Sequence, residues 1–320
     1  MAAAGTFAIL ITVSLTNESS IRAQSPQSAA RQVRLPDEAA GLDGIVRTLI
    51  SAFDQADVVA LGEDHWQQMD SEVRIALVRH PDFAKKVRFI VVEFGSTAQQ
   101  TTLDRYIQGE DVPVAELEKV WKTTISASTG VWDSPMYADF LAVVRDVNRK
   151  LPADARIRVL AGDPPVGSGM PRDASALSVL KAQVLEKRGK ALVIYGAAHF
   201  YRTEVADILA SVGGGIVKTL EKDYPGRTLV VIPVGARFDL PPGVTMRVNP
   251  DYQKFDRALQ TQVRPVLVSL RRPPFRDFTA EEFLGHGMLN CLGAGGCVSA
   301  FQGSRVTLGQ LADACLYTAR

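Results

Sequence analysis

The sequence has no long hydrophobic run. Nowhere do 18 or more apolar residues stand together, so it offers no membrane-spanning helix. It has no surplus of either charge: 36 Lys and Arg stand against 35 Asp and Glu, a net charge of +1. That balance leaves no electrostatic footprint for nucleic acid. Cysteine is scarce, with Cys291, Cys297 and Cys315 all late in the chain. None shows the paired C-x-x-C spacing of a structural zinc site, and none stands beside a base that would make it a nucleophile. No serine occupies a G-x-S-x-G elbow. Gly167-Ser-Gly169 lies outside the strand–turn–helix context that a covalent serine mechanism needs. Apolar residues, by contrast, make up 46% of the chain, enough for a sizeable core and too many for a disordered polymer. What remains is an α/β enzyme or binding protein acting on a small molecule or peptide.

Residues 1–32 read as a leader. An apolar stretch ending near Leu15 is too short to span a bilayer but fits the apolar region of a secretory signal, with Ala23 or Ala30 before a cleavage point. No Lys or Arg precedes it, Arg22 being the first basic residue. The expectation is a signal peptide or disordered leader, and export to the periplasm or beyond. In an oxidising compartment Cys291 and Cys297, on either side of Gly293-Ala-Gly-Gly296, could close a small disulfide loop.

From about Arg34 short apolar runs alternate with helix-period segments. Asp57–Leu61, Arg88–Val92, Arg156–Leu160 and Ala191–Tyr195 read as buried strands. Helices are expected between them: one carries Val73, Ala76 and Leu77 on one face, another Tyr137, Phe140, Leu141 and Val144. Strands separated by helices predict βαβ crossovers, hence a three-layer α/β/α fold with a mostly parallel central sheet. After Gly213-Gly-Gly215 the spacing changes, and Ile216–Leu220, Thr228–Val234 and Val266–Leu270 read as further strands. The expected organisation is a leader at 1–32, the α/β domain carrying the site at 33–270, and a loop-rich C-terminal appendage or cap at 271–320.

Four successive strands end in a glycine with a polar residue beside it: Gly62-Glu63-Asp64-His65, Glu93-Phe94-Gly95, Gly162-Asp163 and Gly196-Ala-Ala-His199. In a parallel sheet the carboxyl ends share one edge, and ligands bind there. Residues more than a hundred positions apart are therefore expected in one cleft. Histidine is neutral and basic near pH 7, and a neighbouring carboxylate orients its ring. Such a set can activate water directly, or hold a divalent metal that does so through His65, Glu93 and His199.

The motifs Leu61-Gly-Glu-Asp-His65, Val91-Val-Glu93, Gly162-Asp163 and Tyr195-Gly-Ala-Ala-His199 together resemble the erythromycin esterase-like and ChaN/Tiki-like superfamily. Leu103-Asp-Arg-Tyr-Ile-Gln-Gly109 and Phe140-Leu-Ala-Val-Val-Arg-Asp-Val-Asn148 are similar to the esterase branch, and the likeness runs from about residue 55 to 205. The resemblance implies a three-layer fold with its site at the strand ends. In the esterase branch it implies a hydrolase that needs no cofactor. His65 would be the general base toward water, assisted by Glu63 and Glu93, with His199 and Asp163 completing the site. That branch also carries an arginine, for which Arg74 is the nearest counterpart. The Gly-x-x-His spacing is closer to the other branches, which imply a metal-dependent peptidase or a haem-binding protein.

Overall fold

The computed structural model describes residues 33–203, 215–234, 258–259, 263–281, 289–291, 297–299 and 303–318. The leader therefore lies outside the described residues. No described helix is long and apolar enough to cross a membrane.

In chain order the elements are β1 (Glu38–Ala40), α1 (Gly41–Ala52), β2 (Val58–Glu63), α2 (Gln68–Arg79), α3 (Phe83–Lys86), β3 (Phe89–Ser96), α4 (Gln100–Gln108), α5 (Val114–Leu117), α6 (Lys119–Lys122), α7 (Pro135–Asn148), β4 (Arg158–Asp163), α8 (Arg172–Leu180) and β5 (Ala191–Gly196). A helix over Gly215–Asp223 leads to β6 (Thr228–Val234) and β7 (Val266–Ser269). The small strands β8 (Leu289–Cys291) and β9 (Cys297–Ser299), a helical turn at Leu308–Leu311 and β10 (Ala314–Tyr317) follow.

The central sheet has eight strands in the order β1-β7-β10-β6-β2-β5-β3-β4. From β10 to β4 every neighbouring pair is parallel, while β7 runs antiparallel to both β10 and β1. Strands such as Val58–Leu61 and Ile90–Val92 are apolar without alternation because both sheet faces are covered. Val59, Leu61, Ile90 and Val92 face a core built with α1, α2, α4 and α7. Val58, Ala60, Val91 and Val193 face a second core built with α8 and the Gly215–Asp223 helix. The three-layer α/β/α reading thus holds.

Two expectations fail. Ile216–Leu220 is helical, not a strand. Its buried residues Ile216, Val217 and Leu220 lie at helical spacing against the second core, which a five-residue apolar run by itself does not distinguish from a strand. The segment from Arg271 is also more than an appendage. Its last strand, β10, sits inside the main sheet between β7 and β6. β8 and β9 pair separately, with Cys291 opposite Cys297 in register; their side chains lie outside the described residues, and so does the expected disulfide. Cys315 is a buried free thiol in β10.

Candidate functional site

The strands that carry the Gly-plus-polar ends, β2, β5, β3 and β4, are contiguous in the sheet. β5 lies between β2 and β3, so the strand order reverses there, the place where open α/β sheets bind ligands.

Glu63 ends β2 on the face of α2 and α7. It is 5% exposed, and a buried carboxylate is costly unless paired. It is paired fully. Arg74 of α2 donates through Nη1 to Glu63 Oε2. The Tyr137 hydroxyl donates to Oε1 at 3.1 Å, and His65 Nδ1 lies 2.8 Å from the same oxygen. Arg74 is itself buried, its guanidinium 5.3–5.8 Å from the ring centroids of Phe94, Tyr137 and Phe140. Burial alone would raise the Glu63 pKa, but Arg74 and His65 outweigh it and hold the group below its ordinary value. Arg74 therefore fixes Glu63 from behind and does not reach the cleft.

His65 is directed by its two sides. Nδ1 faces a carboxylate and so carries the proton, leaving Nε2 with the lone pair. Trp132 packs edge-on against the ring at 5.0 Å. Burial would lower the His65 pKa, but the Glu63 hydrogen bond and the charges of Glu93 and Glu63 raise it above the usual value. The next residue, Trp66, has φ 70°, a left-handed conformation that a bulky side chain adopts only when held. Its Nε1 donates to the Val131 carbonyl at 2.8 Å.

Glu93, 1% exposed, lies on the opposite face, beside α8. Arg172 Nη2 and His199 Nε2 both meet its Oε1, the latter at 3.2 Å, and the Gly196 amide donates to Oε2 at 2.6 Å. Burial opposes its charge, but His199, His65 and Arg172 overcome this and push its pKa far down. His199 Nδ1 is 2.5 Å from Asp173 Oδ1, and Asp173 Oδ2 accepts the Gly215 amide at 2.7 Å. With a carboxylate on each nitrogen the ring is held as a cation. Burial lowers its pKa, yet Glu93 and Asp173 carry it up to about 9.

Asp163, at the end of β4, accepts Arg172 Nε at 2.9 Å and the Ile125 amide at 3.2 Å. Burial lifts its pKa to about 6 against the pull of Arg172. It shares Arg172 with Glu93 and thereby ties β3 to β4. Beside the site, the Asp64 amide donates to Asp70 Oδ2 at 2.9 Å, and burial raises both of these carboxyls.

The six residues singled out from sequence thus gather at one sheet edge. Glu63, His65 and Arg74 form one linked group, and Glu93, His199 and Asp163 another. The two groups meet at Gly196. A Cβ placed on Gly196 would lie 3.2 Å from His65 Nε2 and 3.6 Å from Glu93 Oε2, so the absence of a side chain there is what lets both approach the backbone this closely. Sequence reasoning missed Arg172, Asp173 and the hydroxyl of Tyr137. Pro171 marks a helix start, and Arg172-Asp173 occupies the first turn where its N–H groups are unpaired.

The residues do not suit a resident divalent metal: among the described residues no three His, Cys, Asp or Glu side chains are arranged to hold one. His199, expected as a ligand, has both nitrogens on carboxylates.

No curated protein matches this chain. Solved structures that share its fold include the following three. A protein from Bacillus cereus has 14% identity over 88% of this chain and 92% of its own, with a TM-score of 0.54. A succinoglycan biosynthesis protein has 10% identity over 86% and 90%, with a TM-score of 0.54. An erythromycin esterase variant in its open conformation has 10% identity over 87% and 94%, with a TM-score of 0.55. Residues 49–165, which carry Glu63, His65, Arg74, Glu93 and Asp163, match the family described as haem-binding uptake, Tiki superfamily, ChaN, and this stretch holds three of the strand-end motifs that carry the resemblance.

Proposed function

We propose that this protein is a hydrolase of the esterase kind, with His65 as general base toward water. One observation carries the reading. His65 Nδ1 lies 2.8 Å from the buried Glu63 carboxylate while the His65 side chain stays 30% exposed, so Nε2 keeps its lone pair where it can take a proton from water. The water oxygen attacks the ester carbonyl carbon while His65 Nε2 takes its proton. Collapse of the tetrahedral adduct breaks the acyl C–O bond, and His65 returns the proton to the leaving alcohol. Glu63 fixes the tautomer and stabilises the imidazolium.

Export through residues 1–32 belongs to the same proposal. A three-residue metal site finds no support in the arrangement described above, and chelators are expected to leave the rate unchanged.

The test is hydrolysis of p-nitrophenyl esters. His65→Ala is expected to lose about 10² to 10⁴ in rate. A His65→Ala protein hydrolysing at the wild-type rate would refute the assignment.

A further inference from the structure

If His65 does activate water, the surroundings narrow what is hydrolysed. The three cations at the strand ends are already engaged: Arg74 by Glu63, Arg172 by Glu93 and Asp163, His199 by Glu93 and Asp173. A phosphate, sulfate or carboxylate on the substrate would meet these carboxylates and find none of the three cations free. The chemistry of the cleft suits an uncharged acyl group.

The rim is apolar. Six large apolar side chains are exposed among the described residues, and four of them stand on the loops that frame the strand ends: Trp66 at 54%, Ile125 at 36%, Val166 at 68% and Met170 at 47%. Their exposure is built in. The Ile125 amide donates to Pro164 O at 3.1 Å and the Val166 amide to Thr123 O at 3.1 Å, so the loops after α6 and after β4 are zipped together at a Thr124–Pro165 bridge. The Ile125 amide also reaches Asp163, which joins this lip directly to the polar cluster. Trp66 is tied to Val131 of the same loop, whose other end carries Ile125. An exposed apolar patch fixed around a polar site marks a ligand surface.

We propose that the substrate is an uncharged carboxylic ester with an apolar acyl chain. Its carbonyl lies at His65, and its chain runs across the strand ends to the lip of Ile125, Val166 and Met170. Two strands separate β2 from β4, a span of about 14 Å at the usual strand spacing, which accommodates a chain of medium length.

The test compares p-nitrophenyl acetate, p-nitrophenyl octanoate, the mono-p-nitrophenyl ester of suberic acid and p-nitrophenyl phosphate. Shielding about two methylenes of the chain is worth about tenfold in kcat/KM, so octanoate should exceed acetate by that factor. The suberate ester, of equal length but ending in a charge, should do no better than acetate, and the phosphate should not be cleaved. Val166→Asp and Met170→Asp should bring the octanoate-to-acetate ratio close to one. Val114→Asp, at an exposed apolar position on α5, should leave the ratio unchanged. Hydrolysis without a chain preference, or with a preference for a charged ester, overturns this proposal and leaves the hydrolase reading standing. If no ester is cleaved, the hydrolase reading falls, and the lip is read by thermal stabilisation with 2-nonanone, an uncharged ketone that cannot be hydrolysed. Stabilisation of wild type but not of Val166→Asp then supports the apolar lip, and no stabilisation of either overturns it.

Discussion

The sandwich of His199 between two carboxylates makes a stability prediction with a definite pH window. An unfolded histidine titrates near 6.5, and the folded His199 near 9. Because the folded value is the higher, the contribution is complete below about 6.5 and disappears as pH rises through about 9. At 1.36 kcal/mol per pKa unit the rise is worth roughly 3 kcal/mol, a substantial part of the stability of an ordinary domain. The perturbation is therefore pH itself, from 6 to 10, with His199→Gln as reference because glutamine is neutral throughout. Urea unfolding followed by far-ultraviolet circular dichroism gives the free energy of each protein at each pH. The wild-type advantage over His199→Gln should shrink by roughly 3 kcal/mol across the range. Tyr, Lys and Cys titrate in both proteins and cancel in the difference. Should the variant fail to fold, the His199 ring protons of the wild type can be titrated by NMR, with a midpoint expected near 9. Two stability curves falling in parallel, or a ring titrating near 6.5, would show that the carboxylates do not hold His199 as a cation.

Two shorter predictions concern the other group. Neutral His65 does the work, so kcat/KM should fall as pH drops through a pKa above the ordinary 6.5; Glu63→Gln removes the acceptor and charge that raise it, and should move this acid limb to lower pH. An unmoved limb would mean that Glu63 does not set the histidine. Arg74→Met should cost about 3 to 5 kcal/mol in denaturant unfolding, because it leaves the buried Glu63 carboxylate without its arginine, held only by Tyr137 and His65, and a loss under 1 kcal/mol would contradict the burial of that pair.

The site was legible where it follows from the sheet. A parallel strand buried on both faces reads as an uninterrupted apolar run, so the first polar residue after it marks the strand's carboxyl end. That is why Glu63, Glu93, Asp163 and His199 could be gathered from linear sequence. Arg172 and Asp173 were not legible because Pro164 to Pro171 gives no periodic signal, and nothing local says which charges at a helix start turn inward. Tyr137 was legible only as an inward residue of α7; that its hydroxyl would reach Glu63 depends on how α7 crosses the strand ends. Arg74 was found, but as a counterpart of a cleft arginine, whereas it lies behind Glu63. β10 escaped notice because Ala314-Cys-Leu-Tyr317 is four residues among loops, and its place in the sheet is fixed by partners far away in the chain.

The position of β5 has a consequence for folding order. β2 and β3 come earlier in the chain, yet they do not touch as sheet neighbours, and β5 is the strand that joins them. Until it is inserted, the Glu63–His65 half and the Glu93 half each have an open strand edge and no common boundary. The Gly196 amide then bonds Glu93 on one side while its bare Cα faces His65 on the other. Closing so distant a pairing is entropically slow, and the two carboxylate groups become a single site only once β5 pairs with both β2 and β3.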